Sequence, residues 1–403
     1  MNMQPRESFV KPVIQRGISL FLFIFLAACT PPLNQPEITQ TVTASQPALL
    51  PLEMTNTPAP LSDPIQPIQL AWFWNSPRDE LALPDLAENY DFFVFTAGDE
   101  DERSELMNNL GSKVPVLQYM LFNGVGITED CETRPYGNQI ANQPGDYCNI
   151  LNQHPNWLLY DNSGAVIYNN DHTYVRTNPD ETEWREFFAR RLWETQQEGQ
   201  WRGVFLDNVD ASLERSKRIG LTLPGFPSDA YLQAANEEML AYLYLNIFEP
   251  AGLPMYANIV FVEDENIWYR YLNYLDGAMI EDFAVGWNNT YKTADEWEWQ
   301  MNLAEGTQAL GKSIILVSQG EQQDIERQVF AFTSYLLINQ GQAYFRYTNS
   351  SAYNQLWQYD NYQIDPGQPL GERYRVDDVW QREFEKVTII VDPNKHTGQI
   401  IFK

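Results

Sequence analysis

Histidine, cysteine and basic residues are scarce in this chain. Its 403 residues hold three histidines and three cysteines, and only 26 Lys and Arg stand against 54 Asp and Glu. His154, His172 and His396 are not at metal-ligand spacing, which excludes a zinc hydrolase built on clustered imidazoles. There is no G-x-S-x-G elbow, no P-loop and no G-x-G-x-x-G turn, and Gly124-Val125-Gly126 reads as loop. A formal net charge of -28 repels nucleic acid and polyanionic glycans, so neutral or cationic partners suit the surface. No D-x-D-x-D-G calcium loop is present. The run Asp99, Glu100, Asp101, Glu102 therefore reads as a solvated helix start and not as a divalent-cation site.

What is present is apolar material. With 44% hydrophobic and 14% aromatic residues, the chain is too apolar for disorder and large enough for one barrel or two ordinary domains. At the N-terminus, Arg6, Lys11 and Arg16 lead into an apolar run, residues 18–28, that is too short to span a membrane. Residues 1–28 are thus expected to be a secretory signal. Their closing Leu26-Ala27-Ala28-Cys29 resembles the bacterial lipobox, which implies lipidation of Cys29 and an exported protein anchored in the bacterial cell envelope. Residues 29–67 are rich in Pro, Thr, Gln and Ser and cannot form a core; they read as a disordered tether.

From residue 68 onward, short apolar runs alternate with longer amphipathic stretches, the pattern of βα units. Strands are expected at 69–74, 90–96, 114–120, 203–209, 253–259, 277–283, 313–319 and 343–347, and helices at 180–198, 229–248 and 321–339. The helix at 180–198 carries Trp184, Phe187, Phe188, Leu192 and Trp193 as a packing stripe. This is the requirement of a (β/α)8 TIM barrel filling residues 68–403. A doubly wound sheet would need a phosphate-binding turn after its first strand, and none is there.

Two departures from a plain barrel are expected. Residues 121–179 form an insertion after strand 3, and it contains Cys131 and Cys148; in an exported chain these pair as a disulfide that is worth about 3 kcal/mol. Asp171 and His172 lie in the same insertion, as loop residues. Near the C-terminus, residues 386–402 read as a β-hairpin around Asp392-Pro393-Asn394.

In such a barrel the C-terminal ends of the strands carry the chemistry. Here they supply Trp72, Trp74 and Asn75 from the first strand, then Gln118 and Tyr119, then Asp207, Asn208 and Asp210, and then Asn258. Glu281 and Asp282 end the sixth strand, with Trp287 beyond them, Gln319 the seventh, and Arg346 and Tyr347 the eighth. Glycosidic hydrolysis needs two carboxyl groups, one protonated and one ionised. Asp207 and Glu281 each follow an apolar strand core, Val-Phe-Leu and Ala-Met-Ile, and so project from rigid backbone. Glu281, in the more apolar context, is assigned general acid and Asp207 nucleophile or base; Asp210 and Asp282 are their substitutes. The aromatic residues among these would stack on the C–H faces of sugar rings while the polar ones bind hydroxyls.

Residues 203–210, Gly-Val-Phe-Leu-Asp-Asn-Val-Asp, with Met255-Tyr256-Ala257-Asn258 and Gly-Ala-Met-Ile-Glu-Asp-Phe at 277–283, resemble the bacterial glycoside hydrolases grouped with the polygalactosaminidase-like (β/α)8 barrels. The resemblance implies Asp207 and Glu281 as catalytic carboxylates, no cofactor, and an oligo- or polysaccharide substrate that is α-linked or of unassigned linkage. The alternative is a glycan-binding surface lipoprotein that uses the same barrel mouth without catalysis.

Overall fold

Alternation along parallel strands decides the interior of this protein. A computed structural model describes residues 65–79, 82–106, 116–135, 138–169 and 172–403. The expected signal, Cys29, residues 29–64 of the expected tether and Asp171 lie outside the described residues. The last residues of that 29–67 stretch belong to the fold instead: Ile65 is buried, and its N–H and carbonyl bond the Gln368 side chain at 2.8 and 2.9 Å. Ten strands run from the start of the described chain through the barrel: β1 (Ala71–Trp72), β2 (Phe92–Phe95), β3 (Val116–Leu121), β4 (Gly124–Gly126), β5 (Tyr174–Arg176), β6 (Val204–Asp210), β7 (Met255–Val260), β8 (Gly277–Ile280), β9 (Ser313–Gln319) and β10 (Ala343–Thr348). Eight of them form a parallel sheet in the order β1-β2-β3-β6-β7-β8-β9-β10. A parallel bridge from Leu70 to Phe345 closes the ring, which makes the sheet a TIM barrel.

One parity of each strand fills the lumen: Ala71, Phe92, Val94, Leu117, Tyr119, Phe205, Tyr256, Met279, Ile315 and Val317. The other parity, including Trp72, Phe93, Met120, Leu206 and Leu316, packs outward into the shell between strands and helices. Gly203 opens β6 at φ 135°, where a Cβ would lie 2.5 Å from the Pro254 carbonyl oxygen. That close approach seats β6 between its neighbours.

The shell helices follow the expected faces with one difference. Helix Thr182–Glu198 buries Trp184, Phe187, Phe188 and Leu192, whereas Trp193 of the same predicted stripe is 37% exposed. Helix Ile325–Ile338 starts later than its acidic lead-in suggests, because Asp324 caps it by accepting the Arg327 N–H at 3.1 Å.

The insertion is a small structure of its own. β4 and β5 pair antiparallel, helix Asp146–Gln153 lies between them in the chain, and Cys131 and Cys148 form a disulfide with Cα atoms 5.6 Å apart. A bridge from Gln139 to Leu121 ties it to the end of β3, at the barrel mouth. The C-terminus is larger than the expected hairpin. A four-stranded antiparallel sheet is made by β11 (Tyr374–Val376), β12 (Val379–Glu383), β13 (Val387–Asp392) and β14 (Thr397–Phe402). Its first two strands are short and mix charged with apolar residues, β11 exposed and β12 half-buried, so they carry no clear apolar signal in sequence. The sheet covers helix Ile325–Ile338, and Arg382 donates to the Leu336, Leu337 and Asn339 carbonyls at 3.0, 3.2 and 2.7 Å, capping that helix's C-terminal end.

Candidate active site

Tyr119, Asp207, Asn258, Glu281 and Gln319 all share the parity of the lumen residues before them, so the strands aim all of them at the barrel axis. A β-bulge sharpens this in β6. Leu206 pairs with Ala257 and Val209 with Ile259, so Asp207 and Asn208 together oppose Asn258 alone. Asn208 takes up the extra length in the left-handed region at φ 64°. Asn258 stands between β6 and β8, next to both carboxylates.

The Asn258 amide nitrogen joins the two acids, donating to Asp207 Oδ1 at 2.9 Å and to Glu281 Oε2 at 2.9 Å. The other Asp207 oxygen accepts from the Tyr119 hydroxyl and from Asn208 Nδ2. Glu281 Oε1 accepts the Tyr353 hydroxyl at 2.6 Å, and Gln319 donates to that same hydroxyl oxygen at 3.0 Å. Burial first, and then the charge of Asp207, push Glu281 up to about 7. Burial also raises Asp207, against the hydrogen bonds from Tyr119 and Asn258 and the charge of Arg215. Two carboxyl groups so close do not both ionise readily near neutrality. Asp207, with more donors and a nearby cation, is the one that releases its proton first.

Asp210 is differently placed. Arg176 reaches it at 2.5 Å and Arg215 at 2.9 Å, and Asn123 adds a contact at 3.2 Å. Burial works to raise it, but the charges of Arg215 and Arg176 outweigh burial and hold it below the ordinary carboxylate range. It anchors β5 of the insertion to β6. Asp282 is paired with Lys292 and accepts from Gln300 at 3.0 Å. Both substitutes are thus paired with cations, whereas Asp207 and Glu281 are held by neutral donors. Asp99, in the acidic run, accepts from Thr96 and Ser76 and caps the turn before helix Glu100–Ser104. Among the described residues, no group of three or more His, Cys, Asp or Glu side chains is placed to hold a metal ion.

Two cavities meet at the carboxylate pair. The first, about 230 Å³, is lined by Phe73, Trp74, Tyr119, Asp207, Glu281 and Tyr353, and on the insertion side by Asn138, Asn169, Tyr174 and Arg176. The second, about 450 Å³, holds Asn258, Phe261, Asp282, Trp287, Lys292 and Trp299, and shares Asn208, Arg215 and Glu281 with the first. Trp74 Nε1 and Asn258 Oδ1 are buried without a protein partner, although both residues line a cavity.

Several residues expected at the mouth are elsewhere. Trp72 has the outward parity and packs edge-on to Tyr90 at 5.9 Å, while Trp74, turned by φ 86°, stacks with Tyr119 over the first cavity. The two tryptophans therefore do not share a face, because the strand ends between them. Asn75 lines neither cavity, and its backbone oxygen accepts from Trp72 Nε1 at 2.6 Å. Gln118 also faces outward and accepts from Gln196 Nε2 at 2.7 Å on helix Thr182–Glu198. Arg346 is buried, donating to the Phe73 and Tyr353 carbonyls at 2.8 and 2.5 Å, so it holds the loop that carries Tyr353. Tyr347 is buried in the shell, and His172 is an exposed loop residue beside Tyr168. Tyr353, Arg176 and Arg215 were not legible as site residues. Their one signal is compositional: Arg176 and Arg215 are cations in a chain short of them.

The family model described as hypothetical glycosyl hydrolase family 15 matches residues 109–388. Solved structures similar to this chain include the glycoside hydrolase domain of PelA from Pseudomonas aeruginosa, at 14% identity and TM-score 0.47 over 72% of this chain and 96% of that one. Another is the maltogenic alpha-amylase AmyB from Thermotoga neapolitana, at 12% identity and TM-score 0.47 over 80% and 85%. No curated protein matches.

Proposed function

The chain belongs to hypothetical glycosyl hydrolase family 15, and from that premise we propose that it hydrolyses an O-glycosidic bond with Asp207 as nucleophile and Glu281 as general acid, with retention at the anomeric carbon. One observation carries the reading, the Asn258 nitrogen 2.9 Å from each carboxylate. Two such contacts to one atom keep Asp207 Oδ1 and Glu281 Oε2 within about 5.8 Å, and the roughly 120° spread of an amide's N–H bonds makes the gap about 5 Å. A separation of about 5–5.5 Å belongs to retaining enzymes; inverting enzymes need about 6.5–9.5 Å to admit water.

In the first step the Asp207 carboxylate bonds to the anomeric carbon as the C–O bond to the leaving sugar breaks, and Glu281 gives its proton to that oxygen. In the second step Glu281 takes a proton from water, whose oxygen bonds to the anomeric carbon and frees Asp207. The division of labour is supported by the donors around Asp207 and by the raised proton affinity of Glu281. That same split favours an enzyme over a glycan-binding barrel.

We place the protein outside the cytoplasm, lipid-anchored through Cys29 on a tether that ends before the buried Ile65, and acting on a neutral or cationic glycan. The lipobox-like Leu26-Ala27-Ala28-Cys29, the Cys131–Cys148 disulfide and the net charge of -28 support this. Cys29→Ala should move the protein from the membrane fraction to the soluble one; unchanged partitioning refutes the anchor.

The test of the chemistry is a glycan panel on the full chain, with wild type, Asp207→Asn and Glu281→Gln compared after their folding is verified. Wild type should release reducing ends whose first-formed anomer, by proton NMR, matches the substrate, and both variants should lose turnover by about 10³-fold or more. Full activity in either variant removes that residue from the pair. An inverted first product removes the nucleophile role.

A further inference from the structure

The carboxylate pair is flanked by two cavities of unequal size, and the acids do not divide evenly between them. Asp207 lines only the cavity of about 230 Å³, whereas Glu281 lines both that one and the cavity of about 450 Å³. A nucleophile must face the sugar it attacks. A proton donor must face the oxygen between that sugar and the next.

Resting on the assignment of Asp207 and Glu281 made above, we infer that the larger cavity is the leaving-group subsite, and that Trp287 is its sugar-stacking platform. Its volume lies within the range of small-molecule sites, about 300–1,000 Å³. Trp287 lines this cavity and is 39% exposed, so part of its ring is open to an occupant. Its backbone is fixed by a turn in which its carbonyl accepts the Thr290 N–H at 3.1 Å and hydroxyl at 2.7 Å.

The rest of the wall suits a sugar ring. Trp299 and Phe261 give further aromatic surface, and Asp282, Lys292 and Gln300 supply hydroxyl partners. Asp282 and Lys292 are an ion pair, so together they add no net charge to the subsite. Asn258 Oδ1, buried with no protein partner, belongs to the residue that bridges the two acids and lines this cavity. An occupant here sits against the carboxyl that protonates its oxygen. The smaller cavity, which holds Asp207 and the stacked Trp74 and Tyr119, takes the sugar that is attacked.

The test separates substrates that fill the larger cavity from those that do not. Fluoride as a leaving group is small and occupies no sugar subsite. The probes are α- and β-fluorides of glucose, galactose, N-acetylglucosamine and N-acetylgalactosamine, alongside oligosaccharides of two to six units of the same sugars. In the full chain, Trp287→Ala should lower kcat/KM on the cleaved oligosaccharide about tenfold more than on the matching fluoride. Trp287→Phe, which keeps an aromatic face, should recover part of that difference. Equal losses on both substrates, or none on the oligosaccharide, overturn the assignment while leaving the catalytic pair intact. No turnover of any probe by wild type, with the protein folded, overturns the hydrolase reading and this subsite with it.

Discussion

Replacing Glu281 by glutamine removes a charge that the barrel mouth accommodates poorly, and its effect on stability should change with pH. In the folded protein the Glu281 carboxyl holds its proton up to about 7, against an ordinary value of 4.5. Between those values the folded form binds the proton and the unfolded chain has released it. Wild-type stability therefore falls as pH rises from about 4.5 to about 7 and levels off above, and the variant escapes that loss. At 1.36 kcal/mol per pH unit the ceiling is about 3.4 kcal/mol. Because the carboxyl is half-buried and opens on two cavities, screening lowers the realistic figure to about 1–2 kcal/mol.

A second effect opposes it at every pH. The glutamate oxygens accept from Tyr353 at 2.6 Å and from Asn258 at 2.9 Å, and an amide has only one oxygen to offer. One donor is left facing another, at a cost of about 1 kcal/mol. That cost cancels when the variant's Tm difference from wild type at pH 8.5 is compared with the difference at pH 4. The change between the two should be about 2–4 °C in favour of the variant at pH 8.5, taking about 2 °C per kcal/mol for a domain of this size. Differential scanning calorimetry on both proteins reads it. A Tm difference that stays constant with pH, or moves the other way, refutes the claim that this carboxyl is held protonated.

The same pair sets the pH dependence of catalysis: kcat/KM should fall as pH rises through about 7, when Glu281 loses its proton, and fall in acid above the ordinary carboxylate range, because burial raises Asp207. Tyr353→Phe deletes a donor that favours ionised Glu281, so it should move the alkaline limb upward by about one pH unit; a downward move contradicts the hydrogen-bond direction. Asp210→Ala leaves Arg176 and the partly exposed Arg215 without their carboxylate and should destabilise the protein by about 3 kcal/mol in urea unfolding, with a loss below 1 kcal/mol refuting the anchoring role.

The sequence determined the features that depend on local pattern. Short apolar runs at regular intervals specify buried parallel strands, and period-2 alternation then fixes which residues face the axis; Tyr119, Asp207, Asn258 and Glu281 follow from that count. The same count, applied strictly, places Trp72 and Gln118 outside the barrel. Their nearness to the strand ends suggested the mouth, but parity outranks nearness. Only the tertiary structure decided the features that join distant segments. Tyr353 reaches Glu281 across 72 residues, and Arg176 meets Asp210 across 34, through loops whose paths no periodicity encodes. The bulge at Asn208 depends on the pairing of β6 with β7, and the short strands β11 and β12, of mixed polarity, exist because they extend a sheet. The proton affinity of Glu281 belongs to the same class. It comes from burial and from the charge of Asp207, and both arise only when β6 and β8 stand on either side of Asn258.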